Sequence, residues 1–143
     1  MEKLNEIIFY TMDKAIKTYR MFAQQQLRAA GYKITIDQWL IIKGILENPD
    51  ISQLELGEKA FKDNASVTRI IDLLVKAAYL ERQFHETDRR RVKLIVTQAG
   101  IDIVSNVQKV VLQNRKTALE GIDPTEIELV NKTMNKIIQN CHT

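Results

Sequence analysis

Two short helical stretches joined by a tight connection and followed at once by a hairpin with a charged tip constrain this chain more than any other feature. The first stretch opens at Ile51-Ser52-Gln53-Leu54-Glu55-Leu56. There Ser52 and Glu55 form a capping box, and Ile51 and Leu56 take the two positions of a hydrophobic staple. A helix to about Ala60 is predicted. Asp63 is a good N-cap for the second stretch, which runs to about Ala78 with Val67, Ile70, Ile71, Leu74 and Ala78 on its apolar face. After Tyr79 the period changes to two. Leu80, Arg82 and Phe84 share one side of an extended chain, with Glu81, Gln83 and His85 opposite. Val92, Leu94 and Val96 then alternate with Lys93 and Ile95, and Glu86-Thr87-Asp88-Arg89-Arg90-Arg91 joins the two runs as a charged tip. This order of elements is that of a winged helix-turn-helix.

The flanks read as helices. From Leu4 to Ala30 apolar residues recur at three- and four-residue steps, which predicts one long helix closed by Gly31. Thr35 and Gln38 make another capping box, opening a helix that carries Trp39, Leu40, Ile42, Ile45 and Leu46 and stops at Glu47-Asn48-Pro49-Asp50. Thr97 caps a fifth helix to about Leu119, which Gly121 ends. Asp123-Pro124-Thr125-Glu126 starts a sixth, with Ile127, Val130, Met134, Ile137 and Ile138 as its core face. Five Gly and two Pro in 143 residues are too few for a sandwich, a barrel or a disordered chain. The fold class expected is therefore mainly α with a small β-hairpin, as a single domain over residues 1–143. Residues 1–31 and 121–143 would be dimerisation helices, about 35–97 the winged helix-turn-helix, and 98–120 a connecting helix. No apolar run is longer than the four residues of Trp39-Leu40-Ile41-Ile42, so no bilayer span is expected. No signal-peptide run opens the chain, and the single Cys141 fits a reducing cytoplasm.

The net charge is +3, and all of the excess falls in residues 57–100, which hold nine basic and six acidic side chains. A local positive field of this kind fits a polyanion partner, and on charge alone it fits a solvated loop with three arginines equally well. The polar face of the second short helix carries Asn64, Ser66, Thr68, Arg69 and Asp72, small donors and acceptors plus one guanidinium. Taken singly, Asn64, Ser66 and Thr68 fit a helix start as well as a binding role. As a set opposite a clean apolar stripe, beside an arginine hairpin, they point to base edges and phosphates of double-stranded DNA. An Arg at the end of a ribbon can enter the narrow minor groove. Asp88 lies two residues before Arg90 and is expected to orient its guanidinium, with Arg89 and Arg91 meeting phosphates.

A helix over 4–30 would be about 40 Å long, against a diameter of about 37 Å for a compact domain of this length. Such a helix cannot lie wholly on its own core. Its apolar face and that of the sixth helix are expected to meet a symmetry mate, setting two recognition helices one DNA turn apart.

The run Val67-Thr68-Arg69-Ile70-Ile71-Asp72-Leu73-Leu74, with Leu80-Glu81-Arg82, Asp88-Arg89-Arg90 and Leu94-Ile95-Val96-Thr97-Gln98-Ala99-Gly100, resembles the MarR family of bacterial transcription regulators. The flanking helices agree with that family in number and length. The resemblance implies a homodimer that binds a pseudo-palindromic operator and responds to a small aromatic or lipophilic effector. It places Ser66, Thr68 and Arg69 on the recognition helix, and Asp88 with Arg90 at the wing. The sequence departs from the family pattern at Ala78-Tyr79, where Gly-Leu is usual, and at Phe61, where a turn glycine is common. The first helix also lacks the Cys used by oxidant-sensing branches, and Cys141 reads as an incidental thiol.

An enzyme is not expected. His85 and His142 are far apart in context, Cys141-His142 alone do not build a metal site, and the five scattered Gly form no phosphate loop. No cofactor is implied. The rival reading is a winged-helix protein-interaction module without specific DNA binding. Such a module would not need Arg89-Arg90-Arg91, and its binding would lack the steep salt dependence of phosphate contacts. Tyr10, Tyr19, Arg20, Trp39 and Lys43 lie on the first two helices, where an aromatic beside a base could hold an effector. The plainer reading makes Tyr19 and Trp39 core residues and leaves Arg20 and Lys43 solvated.

Overall fold

The computed structural model describes residues 1–84, 86–88 and 90–142. A 3-10 turn at Leu4–Glu6 leads into α1 (Ile8–Ala29), followed by α2 (Ile36–Glu47), α3 (Gln53–Ala60) and α4 (Asn64–Lys76). The hairpin β1 (Leu80–Phe84) and β2 (Val92–Val96) comes next, then α5 (Gln98–Ala118) and α6 (Pro124–Cys141). The strands are antiparallel, pairing Leu80 with Val96, Arg82 with Leu94 and Phe84 with Val92, so the two alternating sets share one side of the hairpin.

Each expected helix start after the first is built by its own cap. The side chains of Thr35, Ser52, Asp63, Thr97 and Asp123 accept hydrogen bonds from the backbone N–H groups of Gln38, Glu55, Ser66, Gly100 and Thr125. One expectation fails at the N-terminus. The first helix is not continuous from Leu4, because Ile7 is extended (φ −88°, ψ 116°) between the 3-10 turn and α1. The Glu6 carboxylate accepts the Lys3 backbone N–H at 3.1 Å and closes the turn, while β-branched Ile7 suits extended backbone. At 22 residues α1 is about 33 Å long rather than 40 Å. Length alone therefore does not force a second chain.

Helix ends explain the two departures from the family pattern. At the end of α1, Gly31 (φ 89°) donates to the Arg28 carbonyl and Tyr32 donates to the Leu27 carbonyl, both at 2.9 Å. The end of α4 repeats this pair with alanine in the glycine position. Ala78 donates to the Val75 carbonyl at 3.0 Å and Tyr79 to the Leu74 carbonyl at 2.9 Å, with φ 65° at Ala78. So α4 stops at Lys76, and Ala78 leaves the apolar face on which it was expected. Phe61 ends α3 in the same left-handed region, with φ 58°. Both turns keep the glycine geometry at a cost of about 1–2 kcal/mol each. The Phe61 ring is 84% exposed and offsets little of it. Phe61→Gly and Ala78→Gly are each expected to raise unfolding free energy by about 0.5–1 kcal/mol in urea titrations. A lower midpoint for either would show that its side chain holds the turn in place.

The core gathers around α2, which touches α1, α3, α4, β2 and α5. Ile41 and Ile42 are fully buried there, against Leu56 of α3, Val67, Ile71 and Leu74 of α4, and Val107 of α5. Because α2 is surrounded, its burial departs from the expected stripe: Ile41 joins the core and Leu46 is exposed. Trp39 packs on the edge of the same cluster. The larger correction concerns α6. Its expected core face is not core within the chain: no residue of α6 is buried, and Val130, Met134 and Ile138 are exposed. In α1 only Ala23 and Leu27 are buried. No described helix is long and apolar enough to cross a membrane.

Candidate nucleic-acid interface

The polar face of α4 is positioned from three sides. At its N-terminus the Asp63 carboxylate accepts the Ser66 backbone N–H at 2.7 Å, and this bond is the first cause of a pKa held below the ordinary carboxylate value. Just upstream, Lys62 pairs with Asp37 of α2 at 3.4 Å, and Asp37 also pairs with Arg20 of α1 at 2.5 Å. A chain of ion pairs thus runs from the long first helix to the turn before α4. Gly57 permits the tight approach of that turn, since a Cβ there would lie 2.8 Å from the Lys62 carbonyl oxygen.

On α4, Asn64, Thr68 and Arg69 are exposed and Ser66 is half-buried. Asn64, Thr68 and Asp72 are spaced by four and stack on one stripe. Gln53 of α3 donates from Nε2 to Asn64 Oδ1 (2.9 Å) and to Thr68 Oγ1 (2.7 Å). The Thr68 hydroxyl donates to the Asn64 carbonyl at 2.9 Å, and Arg69 donates to Ser66 Oγ at 3.2 Å. Asp72 forms an ion pair with Arg82 of β1. That pair fastens the middle of β1 to the outer face of α4. Sequence periodicity places Arg82 and Asp72 on their own elements but does not show that they meet, and Gln53 passes there for an ordinary first-turn residue.

At the tip, Asp88 Oδ1 accepts the Arg90 backbone N–H at 3.0 Å, and the Arg90 Nε lies 3.6 Å from the same oxygen. The Arg91 N–H donates to the Asp88 carbonyl at 3.0 Å. Asp88 therefore shapes the turn through the main chain as well as drawing the guanidinium in, and the Arg90 side chain stays 95% exposed. Arg91 is exposed. Arg89 lies outside the described residues. Near the tip end of β2, Lys93 pairs with Asp50 at 3.6 Å and ties the wing to the loop before α3.

The residues weighed for an effector do not converge. Arg20 is held by Asp37, and the Lys43 ammonium sits 5.9 Å from the centre of the Trp39 ring. Tyr19 lines an open cleft of about 620 Å³ between α1 and the end of α5, while Tyr10 is exposed. Arg20 is thus half-buried and paired rather than simply solvated. Cys141 is exposed on the last turn of α6.

Residues 34–92 match the MarR family. The chain superposes on BpsR from Bordetella bronchiseptica, whose DNA binding is regulated by 6-hydroxynicotinic acid, with 19% identity over 96% of each chain and a TM-score of 0.86. It is similar to a mutant MarR from E. coli complexed with operator DNA, at 21% identity over 96% of this chain and 99% of that one, TM-score 0.84. A protein of unknown function from Listeria innocua shares 25% identity over 94% of this chain and 93% of its own, TM-score 0.70. The family's match thus lies on the winged module, residues 34–92, and the flanking helices follow the same fold as these solved structures.

Proposed function

We propose that the chain is a transcription regulator that binds double-stranded DNA as a homodimer, with α4 in the major groove and the wing along the neighbouring minor groove. The observation that carries this reading is the Asp72–Arg82 ion pair. It couples the polar face of α4 to the first strand of a hairpin whose tip bears Arg90 and Arg91, so helix and ribbon can engage one duplex together. Asn64, Ser66, Thr68 and Arg69 take base edges and nearby phosphates. Arg90 enters the minor groove braced by Asp88, and Arg89 and Arg91 meet phosphates. The helices at 1–31 and 121–143 supply the dimer, the segment at about 35–97 the winged module, and 98–120 the connection. A pseudo-palindromic operator follows from two-fold symmetry. Repression relieved by a small aromatic or lipophilic effector fits the regulation of BpsR by an aromatic acid. The setting would be the cytoplasm, where the duplex is.

Arg90→Ala is expected to weaken binding to an operator duplex by at least about tenfold in gel shifts, with dimer mass unchanged by sedimentation. The log–log salt slope of the parent protein should be steep, at about −0.9 per phosphate contacted. Unchanged binding by the variant would remove the wing from the mechanism. A flat slope would favour a protein-interaction module instead.

A further inference from the structure

Gln53 stands on the first turn of α3, half-buried, and is the one described side chain that reaches from that helix to two polar residues of α4. Its amide nitrogen carries two hydrogens, so the bonds to Asn64 Oδ1 and Thr68 Oγ1 are made together. The Thr68 hydroxyl hydrogen is already given to the Asn64 carbonyl, which leaves its oxygen facing Gln53 as an acceptor. Both side-chain oxygens are thereby engaged from the α3 side. With both oxygens so engaged, the groups left over are Nδ2 at position 64, a donor, and the threonine methyl at position 68. An unrestrained asparagine reads adenine through both ends of its amide, donating to N7 and accepting from N6. One whose oxygen is held from behind presents its donor end.

We propose that Gln53 is a positioning residue for base specificity: by donating to Asn64 and Thr68 it fixes the hydrogen-bonding sense of α4. Position 64 then reads acceptors (purine N7, guanine O6 or thymine O4), and position 68 reads a thymine methyl. The inference rests on the DNA-binding reading above and adds to it which chemical edge is read. Gln53→Glu is the informative variant. It keeps the side chain's shape but turns a donor into a carboxylate, so the Asn64 amide must rotate to offer Nδ2 backward and Oδ1 forward. The preference at that base pair should then move toward a donor, adenine N6 or cytosine N4. Added negative charge weakens all duplexes alike and cancels in a ratio taken within one variant.

The test uses the full chain, selected against duplexes with a randomised core. Affinities are then measured for the enriched duplex, its single-base variants and a non-specific duplex. Gln53→Ala should lower discrimination at one base pair per half-site by roughly tenfold. Non-specific affinity, salt slope and thermal midpoint should be unchanged. Gln53→Glu should change which base is preferred there. Neither result is expected from a merely structural role, which would move the midpoint and every affinity together. Unaltered base preference in both variants would overturn the proposal. So would uniform weakening of Gln53→Ala with a shallower salt slope, which marks a phosphate contact. Failure of the parent protein to enrich any motif would overturn the DNA-binding reading itself, and this inference with it.

Discussion

Replacing Val130 and Ile138 together by aspartate is expected to yield a monomer whose affinity for an operator-length duplex is lower by on the order of a hundredfold. Val130, Met134 and Ile138 recur every four residues along α6, and none is covered within the chain: Val130 is 55% exposed and Ile138 60%. Each such side chain gains about 1.5–3 kcal/mol when fully buried, so the stripe is a strong driver of association. An aspartate in its place would be stripped of water without a partner. Since no residue of α6 is itself buried within its own subunit, the variant should keep the fold of the winged module. The large loss of affinity follows from geometry. In a dimer the second half-site is met at the high local concentration set by the first, and a monomer forfeits that gain. Sedimentation mass, helical circular dichroism and gel-shift affinity, measured on one preparation, check the three parts. A variant that stays dimeric, or binds as tightly when monomeric, would remove α6 from the proposed interface.

Gly100→Ala is expected to cost about 3 kcal/mol of unfolding free energy in urea titration. A Cβ at this buried position would lie 2.4 Å from the Tyr79 carbonyl oxygen and 2.8 Å from Val96 Cγ1. A side chain could turn aside; the Tyr79 carbonyl cannot, because it accepts the Thr97 N–H at 3.1 Å. Beside it the Thr97 hydroxyl donates to the Ala78 carbonyl at 2.6 Å. These bonds weld the turn after α4 to the start of α5, across both feet of the wing. The methyl must push α5 away and break them, so loss of DNA affinity should accompany the loss of stability. A change below about 1 kcal/mol would mean that α5 slides without penalty.

The polar contacts divide by their separation along the chain. The capping bonds of Thr35, Ser52 and Thr97 close over three residues, and the Asp88 carboxylate reaches the Arg90 N–H over two. Their residue types can be recognised in sequence, because a short loop leaves few other geometries. Asp72 and Arg82 are ten residues apart, Gln53 and Thr68 fifteen, and Arg20 and Asp37 seventeen. Each of these pairs spans two elements, and nothing in the local pattern distinguishes them from solvated polar residues. The polar residues on α4 could therefore be grouped as one face, whereas the contacts that orient them could not.

For this protein, the capped helix starts, the strand alternation and the winged order follow from the amino-acid sequence alone, because hydrogen bonds over three residues and a two-residue alternation set them. Phe61 and Ala78 show the limit of that reasoning. Their side chains disfavour the left-handed backbone, yet packing of α3 against α4 and of α4 against the wing demands it there. Tertiary structure likewise decided that Ile41 is core, that Leu46 is exposed and that the α6 stripe has no cover within its own subunit. Periodicity says which residues share a face. Which face is covered depends on where the other helices lie, and only the assembled fold determines that.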